Sequence, residues 1–125
     1  MSTRMNSDIK AQWVTALRSG QYLQGTGRLR CSTPERDRYC CLGVLCELAV
    51  QASAIPPAEF PDESDFDSYA YAGSKSYLPL RVQDWSGLFN FSGGYKVGRT
   101  QHFLSEDNDN GKTFDDIADI VEQCF

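Results

Sequence analysis

The segment YCCLGVLCELAV, residues Tyr39–Val50, constrains how the rest of the chain has to fold. Glu47 is its only charged residue, so nearly every face of a helix over this segment is apolar. A helix that is apolar all round must be covered by the elements around it. We therefore predict a buried central helix that starts at Tyr39 or Cys40 and ends at about Ala52.

Three further patterns predict the helices that cover it. SDIKAQWVTALRSG has an apolar stripe at helical spacing, with Ser7 as the expected N-cap and Gly20 as the expected end. LPLRVQDWSGLF predicts a short helix that starts after Pro79. Thr113, followed three residues later by Asp116, resembles a capping box and begins the last helix.

Short strands are predicted between the helices. Arg28–Cys31 alternates polar and apolar residues, and NFSGGYKVGRTQHFL predicts a bend followed by one or two strands. The fold class is therefore α+β: a small single domain of about three helices around a buried central helix, with a few short antiparallel strands. We expect residues 1–6 to be a flexible tail and residues 7–125 to form one globular domain.

The composition excludes several classes of protein. A chain of 125 residues has the length of one domain, and its net charge of −5 argues against general nucleic-acid binding. No apolar stretch approaches the roughly 20 residues of a membrane span, and Met1–Lys10 lacks the apolar middle of a signal peptide. We expect a cytoplasmic protein with no membrane partner, in which five cysteines, an odd number, do not form a disulfide framework.

The cysteine cluster permits two interpretations. Zinc sites usually pair their ligands two to four residues apart, twice over, and this chain has no second pair, so neither a metal site nor a cofactor is predicted. Cys40 and Cys41 stand at a helix start, which favours a thiolate, and His102 follows later in the chain, as in a cysteine hydrolase. The other interpretation makes these thiols small apolar core residues.

Two glycine-rich basic segments are the main candidates for ligand binding. Glycines in QGTGRLR and GGYKVGR would let backbone N–H groups approach a ligand, while arginine and lysine bind phosphate and tyrosine rings stack on a base. Alternation along a strand would place Arg28 and Arg30 on one face. The candidate ligand-binding residues are Tyr22, Gln24, Gly25, Gly27, Arg28, Arg30, Tyr95, Lys96 and Arg99.

Two other segments carry some of the features of a functional site. DNDNGKT fits neither a calcium loop, because the bidentate acid is missing, nor a P-loop, because Glu106 stands at the first glycine position. We therefore expect it to form a tight polar turn that caps the last helix. EFPDESDFD, residues 59–67, lies in a long irregular stretch (residues 54–77) and is strongly acidic. It is either a solvated loop or a mimic that competes for a basic groove on a partner.

The ordered motifs WVTALRSGQYLQGTGRLR, YCCLGVLCELA, LPLRVQDWSGL and NDNGKTFDDIADIVE resemble small proteins of unknown function from bacteriophages and prophages. The resemblance extends from Trp13 to Glu122. It implies an accessory protein that antagonises host defence, since some such proteins sequester signalling nucleotides and others block a defence protein. We therefore expect binding and sequestration of a phosphate-bearing nucleotide without catalysis. The alternatives are inhibition of a host defence protein through residues 59–67 and cysteine hydrolysis. A homodimer would deepen the pocket of so small a domain.

Overall fold

A computed structural model describes residues 5–59 and 68–125 of the chain. Over these ranges it has five helices and five short strands, which confirms a small α+β domain. The helices are α1 (Ser7–Arg18), α2 (Cys41–Gln51), α3 (Leu80–Ser86), α4 (Leu104–Asp109) and α5 (Phe114–Cys124). The strands are β1 (Leu23–Gln24), β2 (Arg30–Cys31), β3 (Arg38–Tyr39), β4 (Gly94–Val97) and β5 (Thr100–Phe103).

Helix α2 is the buried centre that its sequence predicts. Its residues from Cys41 to Cys46 are all buried, and α1, α3 and α4 pack against it. The Trp13 ring of α1 is buried against its N-terminal end and donates a hydrogen bond from Nε1 to the Cys41 carbonyl, at 2.9 Å. The tryptophan thus adds its apolar area to the core without leaving its N–H unpaired.

The backbone before β2 lies directly against α2. Leu29 is buried, and a Cβ built on Gly43 would lie only 1.7 Å from the Leu29 carbonyl oxygen. The strand that we expected over Arg28–Cys31 is therefore shorter, because Leu29 points into the core and only Arg30–Cys31 pair with β3.

The two sheets are small. The first has the order β1-β3-β2, in which β1 pairs with β3 in parallel and β2 pairs with β3 antiparallel. The parallel pair was not expected from the sequence. The second is the antiparallel hairpin β4–β5, in which Val97 pairs with Thr100 across a two-residue turn of Gly98 and Arg99. Gly98 has φ +62°, a backbone conformation that glycine adopts without strain.

The helices differ from the prediction at two places. Asn6, not Ser7, caps α1, because its Oδ1 accepts hydrogen bonds from the backbone N–H groups of Asp8 and Ile9. Asp107, Asn108 and Asp109, the first three residues of the expected polar turn, instead lie in the short helix α4. The predicted capping box of Thr113 and Asp116 is present at the start of α5.

The first described residues are packed against the domain. Met5 is only 5% exposed, and the Asn6 N–H donates to the Ser86 carbonyl at 2.7 Å. Residues 5 and 6 of the expected tail therefore belong to the folded domain, while residues 1–4 lie outside the described ranges. No helix within the described ranges is both long enough and apolar enough to span a bilayer.

Candidate functional site

Arg30, a candidate phosphate ligand, is held by protein groups. Its Nε and Nη2 atoms donate to one carboxylate oxygen of Asp37 at 2.9 and 2.6 Å, and Nη1 lies 3.5 Å from Glu47. The guanidinium also lies over the rings of Tyr39 and Tyr69, 5.1 and 4.2 Å from their centroids. Two carboxylates and two aromatic rings therefore already surround this cation. Its contacts join strand β2 to β3 through Tyr39, to α2 through Glu47 and to the chain at Tyr69.

The loop around Gly25 and Gly27 in the first basic segment, QGTGRLR, is held by hydrogen bonds to residues near the C-terminal end of the chain. Gln24 donates from Nε2 to Asn108 and to the Lys112 carbonyl, at 2.9 and 2.7 Å. The Gly27 N–H donates to Asp109 at 2.9 Å. A Cβ on Gly25 would lie 2.8 Å from the Arg38 Cβ, which explains the glycine at this position. The glycines of this loop therefore serve the contacts between β1 and β3 and between β1 and α4.

Arg28 lies apart from Arg30. Its Nη1 donates to the Gly27 carbonyl and to the Ser76 hydroxyl, both at 3.1 Å. It borders a cavity of about 250 Å³, which we call the thiol cavity and which is lined by Gly27, Arg28, Cys40, Ser76, Tyr77, Ser105 and Asp109. The Asp109 carboxylate in this wall opposes the binding of an anion close to Arg28.

The thiols at the start of α2 are protonated near neutral pH. Burial raises the pKa of Cys40 to about 11 and that of Cys41 well above its ordinary value. Cys40 is the N-cap residue, and its Sγ accepts a hydrogen bond from the Gly43 N–H at 3.4 Å, but this does not offset burial. A pKa of about 11 leaves roughly one thiolate in ten thousand at pH 7, so the helix start does not activate the thiol.

His102 makes its ring contact at the hairpin. It pairs with Tyr95 across the β4–β5 ladder, and the two rings stack with their centroids 5.4 Å apart. The Tyr95 hydroxyl donates to the Asp107 carboxylate. The thiol cavity, which Cys40 lines, does not include His102 among its lining residues. The structure gives no thiol–imidazole pair of the kind that a cysteine hydrolase needs among the described residues.

The second basic segment, GGYKVGR, borders a cavity larger than the thiol cavity. A cavity of about 450 Å³ lies between the hairpin, the residues after α3 and the end of α5. We call it the hairpin cavity, and it is lined by Leu88, Phe89, Asn90, Gly94, Tyr95, Lys96, Gln101, Cys124 and Phe125. Its volume lies within the range of about 300–1,000 Å³ typical of small-molecule sites.

The wall of the hairpin cavity combines a cationic side chain, aromatic rings and neutral polar groups. Lys96 is exposed and lies opposite Gln101 in the ladder, so alternation puts both side chains on one face of the hairpin. Phe89 is 65% exposed and offers a ring at the cavity. Tyr95 also lines the cavity, although the residue is only 9% exposed. Burial, followed by its hydrogen bond to Asp107, raises the pKa of Tyr95, so its hydroxyl stays neutral.

The candidate ligand residues therefore divide among separate places. Tyr95 and Lys96 border the hairpin cavity, and Arg99 is exposed in the hairpin turn. Gly27 and Arg28 border the thiol cavity. Tyr22 packs edge-on against Tyr39, with ring centroids 5.1 Å apart, and belongs to neither wall. The structure does not bring the two basic segments to one cavity.

Sequence reasoning missed Phe89, Asn90 and Gln101 as neighbours of Lys96. A signal for Gln101 was present: pairing KVGRTQ as a hairpin with a two-residue Gly-Arg turn puts Gln101 opposite Lys96. Phe89 and Asn90 precede the hairpin, and only the packing of the α3–β4 connection brings them to it.

The acidic stretch falls mostly outside the described residues. Of residues 59–67, only Glu59 is described, and its backbone pairs with Ala70 through hydrogen bonds of 2.9 and 2.8 Å. Residues 60–67 carry the remaining acidic groups of that stretch. The interpretation of this stretch as a charged mimic stays a prediction.

Comparison with known proteins gives a family. A family model with the description "Domain of unknown function" matches residues 5–125, which begin at the packed Met5. No curated protein and no solved structure is detectably similar to the chain. The matched region covers nearly all of the sequence, so the chain belongs to the family of the Domain of unknown function DUF8296.

Proposed function

We propose that this protein binds a phosphate-bearing nucleotide in the hairpin cavity and holds it without catalysing a reaction. The observation that carries the proposal is the wall of this cavity, where a lysine, an exposed aromatic ring and two side-chain amides border one space of about 450 Å³. Ammonium groups bind phosphate, and a base stacked on an aromatic side chain gains about 1–3 kcal/mol.

In this proposal Lys96 binds the phosphate and Phe89 stacks on the base. Arg99, in the Gly98-Arg99 turn of the same hairpin, is exposed, and its positive charge favours the approach of an anionic ligand. The first basic segment takes no part in it. Arg30 is already paired with Asp37, and Arg28 borders a smaller cavity that Asp109 also lines.

Binding without turnover is supported by the state of the thiols. Cys40 is buried with a pKa of about 11, and His102 stacks on Tyr95. A nucleophilic thiol in a hydrolase has to be accessible, deprotonated and paired with a base. The nucleotide recovered after incubation should therefore be chemically unchanged.

Titration calorimetry with adenosine and guanosine monophosphates, ADP-ribose and a cyclic dinucleotide tests the proposal. Phe89→Ala should weaken binding by about 5- to 100-fold, and Lys96→Ala by about tenfold. Lys112→Ala and Phe91→Ala are the matched controls, because both residues are exposed and neither borders the hairpin cavity. If no nucleotide binds, if the controls weaken binding equally, or if the nucleotide is consumed, the proposal is wrong.

The biological role that we propose is that of a phage accessory protein acting in the cytoplasm of its host, where it removes a defence signal. The support for it is the resemblance of the motifs between Trp13 and Glu122 to small phage proteins. Expressed in bacteria with an active nucleotide-signalled defence, the protein should protect an infecting phage, and Lys96→Ala should lose this protection. Native mass spectrometry of the protein from such cells would report any retained nucleotide, and also whether two copies form the expected homodimer.

The same infection assay distinguishes nucleotide sequestration from the alternative function, inhibition of a host defence protein through residues 59–67. An inhibitor that acts through its acidic stretch would keep its protection in Lys96→Ala. It would lose it when Asp62, Glu63 and Asp65 are changed to the corresponding amides, because the charge that the partner recognises is removed. That outcome would favour inhibition of a host defence protein over nucleotide sequestration.

A further inference from the structure

Two side-chain amides in the wall of the hairpin cavity have fixed orientations. Asn90 accepts hydrogen bonds through Oδ1 from the N–H groups of Ser92 and Gly94, at 2.9 and 3.0 Å. Gln101 donates from Nε2 to the carbonyls of Tyr95 and His102, at 3.1 and 3.0 Å. Flipping either amide would break both of its bonds, so the backbone decides which atom of each amide remains for a ligand.

The atoms that remain are one donor and one acceptor. Asn90 keeps Nδ2, a donor, and Gln101 keeps Oε1, an acceptor. Within residues 5–59 and 68–125, neither atom has a hydrogen-bond partner in the protein. Both residues border the hairpin cavity. The wall thus presents one hydrogen-bond donor, Asn90 Nδ2, and one acceptor, Gln101 Oε1, to a ligand in the cavity.

The two amides lie close to Gly94. A Cβ at this position would lie 3.0 Å from Asn90 Nδ2 and 3.0 Å from Gln101 Nε2, which is tighter than ordinary contact. A methyl group at this position would therefore press on both amides, and glycine lets them keep the orientations that their backbone hydrogen bonds give them. Gly94 is not among the glycines with positive φ, so an alanine here would fill space without straining the backbone.

We propose that Asn90 Nδ2 and Gln101 Oε1 read the edge of a nucleobase, so that the cavity recognises the base and not only the phosphate. Every nucleobase carries neighbouring N–H and acceptor groups on its edge, and asparagine and glutamine amides pair with such edges in other proteins. Phe89 would stack on the face of the same base, and Lys96 would hold its phosphate. This inference rests on the proposed function and adds to it that the base is recognised through hydrogen bonds to its edge as well as by stacking on Phe89.

The test compares ribose 5-phosphate with the four ribonucleoside 5′-monophosphates, and with the nucleoside of whichever binds best. Ribose 5-phosphate should bind at least about tenfold more weakly than that nucleotide, because it leaves the amide donor and acceptor unpaired. Asn90→Asp keeps the oxygen that accepts from Ser92 and Gly94 but replaces the free donor by an acceptor. It should weaken binding of the uncharged nucleoside about tenfold, and the lack of a phosphate removes the effect of the added charge.

Two further variants make the result specific. Gly94→Ala should weaken nucleotide binding and leave the weaker binding of ribose 5-phosphate unchanged, since only the base uses the two amides that the added methyl group would displace. Asn110→Asp makes the same charge change at an exposed position after α4, outside the hairpin cavity, and should have no effect. Circular dichroism and the thermal midpoint establish that each variant is folded. If Gly94→Ala does not fold, Asn90→Asp by itself still tests whether the amides bind the base.

The outcomes separate the two proposals. If Asn90→Asp binds the nucleoside as the native protein does, the base-reading inference is wrong while the nucleotide site of Lys96 and Phe89 stands. If the nucleotide and ribose 5-phosphate bind equally well, the base-reading inference and the stacking on Phe89 are both wrong, and only phosphate capture at Lys96 stands. If the native protein binds none of the four monophosphates and no other nucleotide, both proposals are wrong. Selective loss in Asn90→Asp and Gly94→Ala supports both.

Discussion

Asn108 shows how a single side chain can join segments that are far apart in the sequence. It is 1% exposed, its Oδ1 accepts from Gln24 and from the Cys41 N–H, and its Nδ2 donates to the Gly25 carbonyl. A buried amide is stable only when its polar atoms are paired, and these bonds pair them. The sequence indicated only a polar turn here, because nothing local reveals that one amide of that turn is buried.

Gly43 gives a test at the scale of one residue. In an ordinary helix, Gly→Ala stabilises by about 1 kcal/mol, but here the added methyl would overlap the Leu29 carbonyl, 1.7 Å away. We expect Gly43→Ala to lower the free energy of unfolding by at least about 2–4 kcal/mol, measured by urea denaturation. Gln12→Ala, on the exposed face of α1, is the control and should change little. A Gly43→Ala protein as stable as the native one would contradict this close packing.

At the scale of elements, local signals and tertiary packing can be distinguished. The central helix, the helix after Pro79 and the capped last helix lie where their apolar spacing and capping residues predict them. Helix α4 and the parallel pairing of β1 with β3 were missed. Helix α4 has a polar sequence with little periodicity, and a two-residue strand gains its pairing from contacts far away in the chain.

The capping box of α5 is a test at this scale. The Thr113 hydroxyl accepts from the Asp116 N–H, and the Asp116 carboxylate accepts from the Thr113 N–H, both at 3.1 Å. We expect Thr113→Ala to lower the free energy of unfolding by about 0.5–2 kcal/mol, and Thr113→Ser to restore most of it. Thr15→Ala, on the exposed face of α1, should instead be neutral or slightly stabilising. Equal losses at Thr113 and Thr15 would argue against the cap.

At the scale of the whole molecule, the buried thiols should make the free energy of unfolding fall as the pH rises in the alkaline range. Burial raises the pKa of Cys40 from 9.0 to about 11 and those of Cys41 and Cys46 well above 9.0. Burial also raises the pKa of Tyr39 from 10.0 to about 12. The folded protein therefore keeps protons that the unfolded chain loses. These contributions are intact below about pH 9 and are lost as the pH rises towards and through 11.

Urea denaturation in reducing buffer between about pH 8 and pH 11 measures this effect. The free energy of unfolding should fall as pH rises above 9, by at most about 1.4 kcal/mol per pH unit for each buried thiol. Cys46→Ala removes one such thiol and should make the fall less steep. Cys124→Ser changes an exposed thiol and should leave the slope as it is. A free energy that stays level up to pH 11 would contradict burial of the thiols.

The sequence by itself determined the α+β class, the buried α2 and the capped α5, because hydrophobic spacing and capping act over a few neighbouring residues. It also indicated that Lys96 and Tyr95 lie in a segment that could meet a ligand. Only the tertiary structure decided that Arg30 pairs with Asp37 and that Arg28 and Lys96 border different cavities. It alone brought Phe89 and Asn90 to the same cavity as Lys96 and Gln101 of the hairpin. A cavity forms where elements meet, so its wall depends on long-range packing that local sequence patterns do not encode.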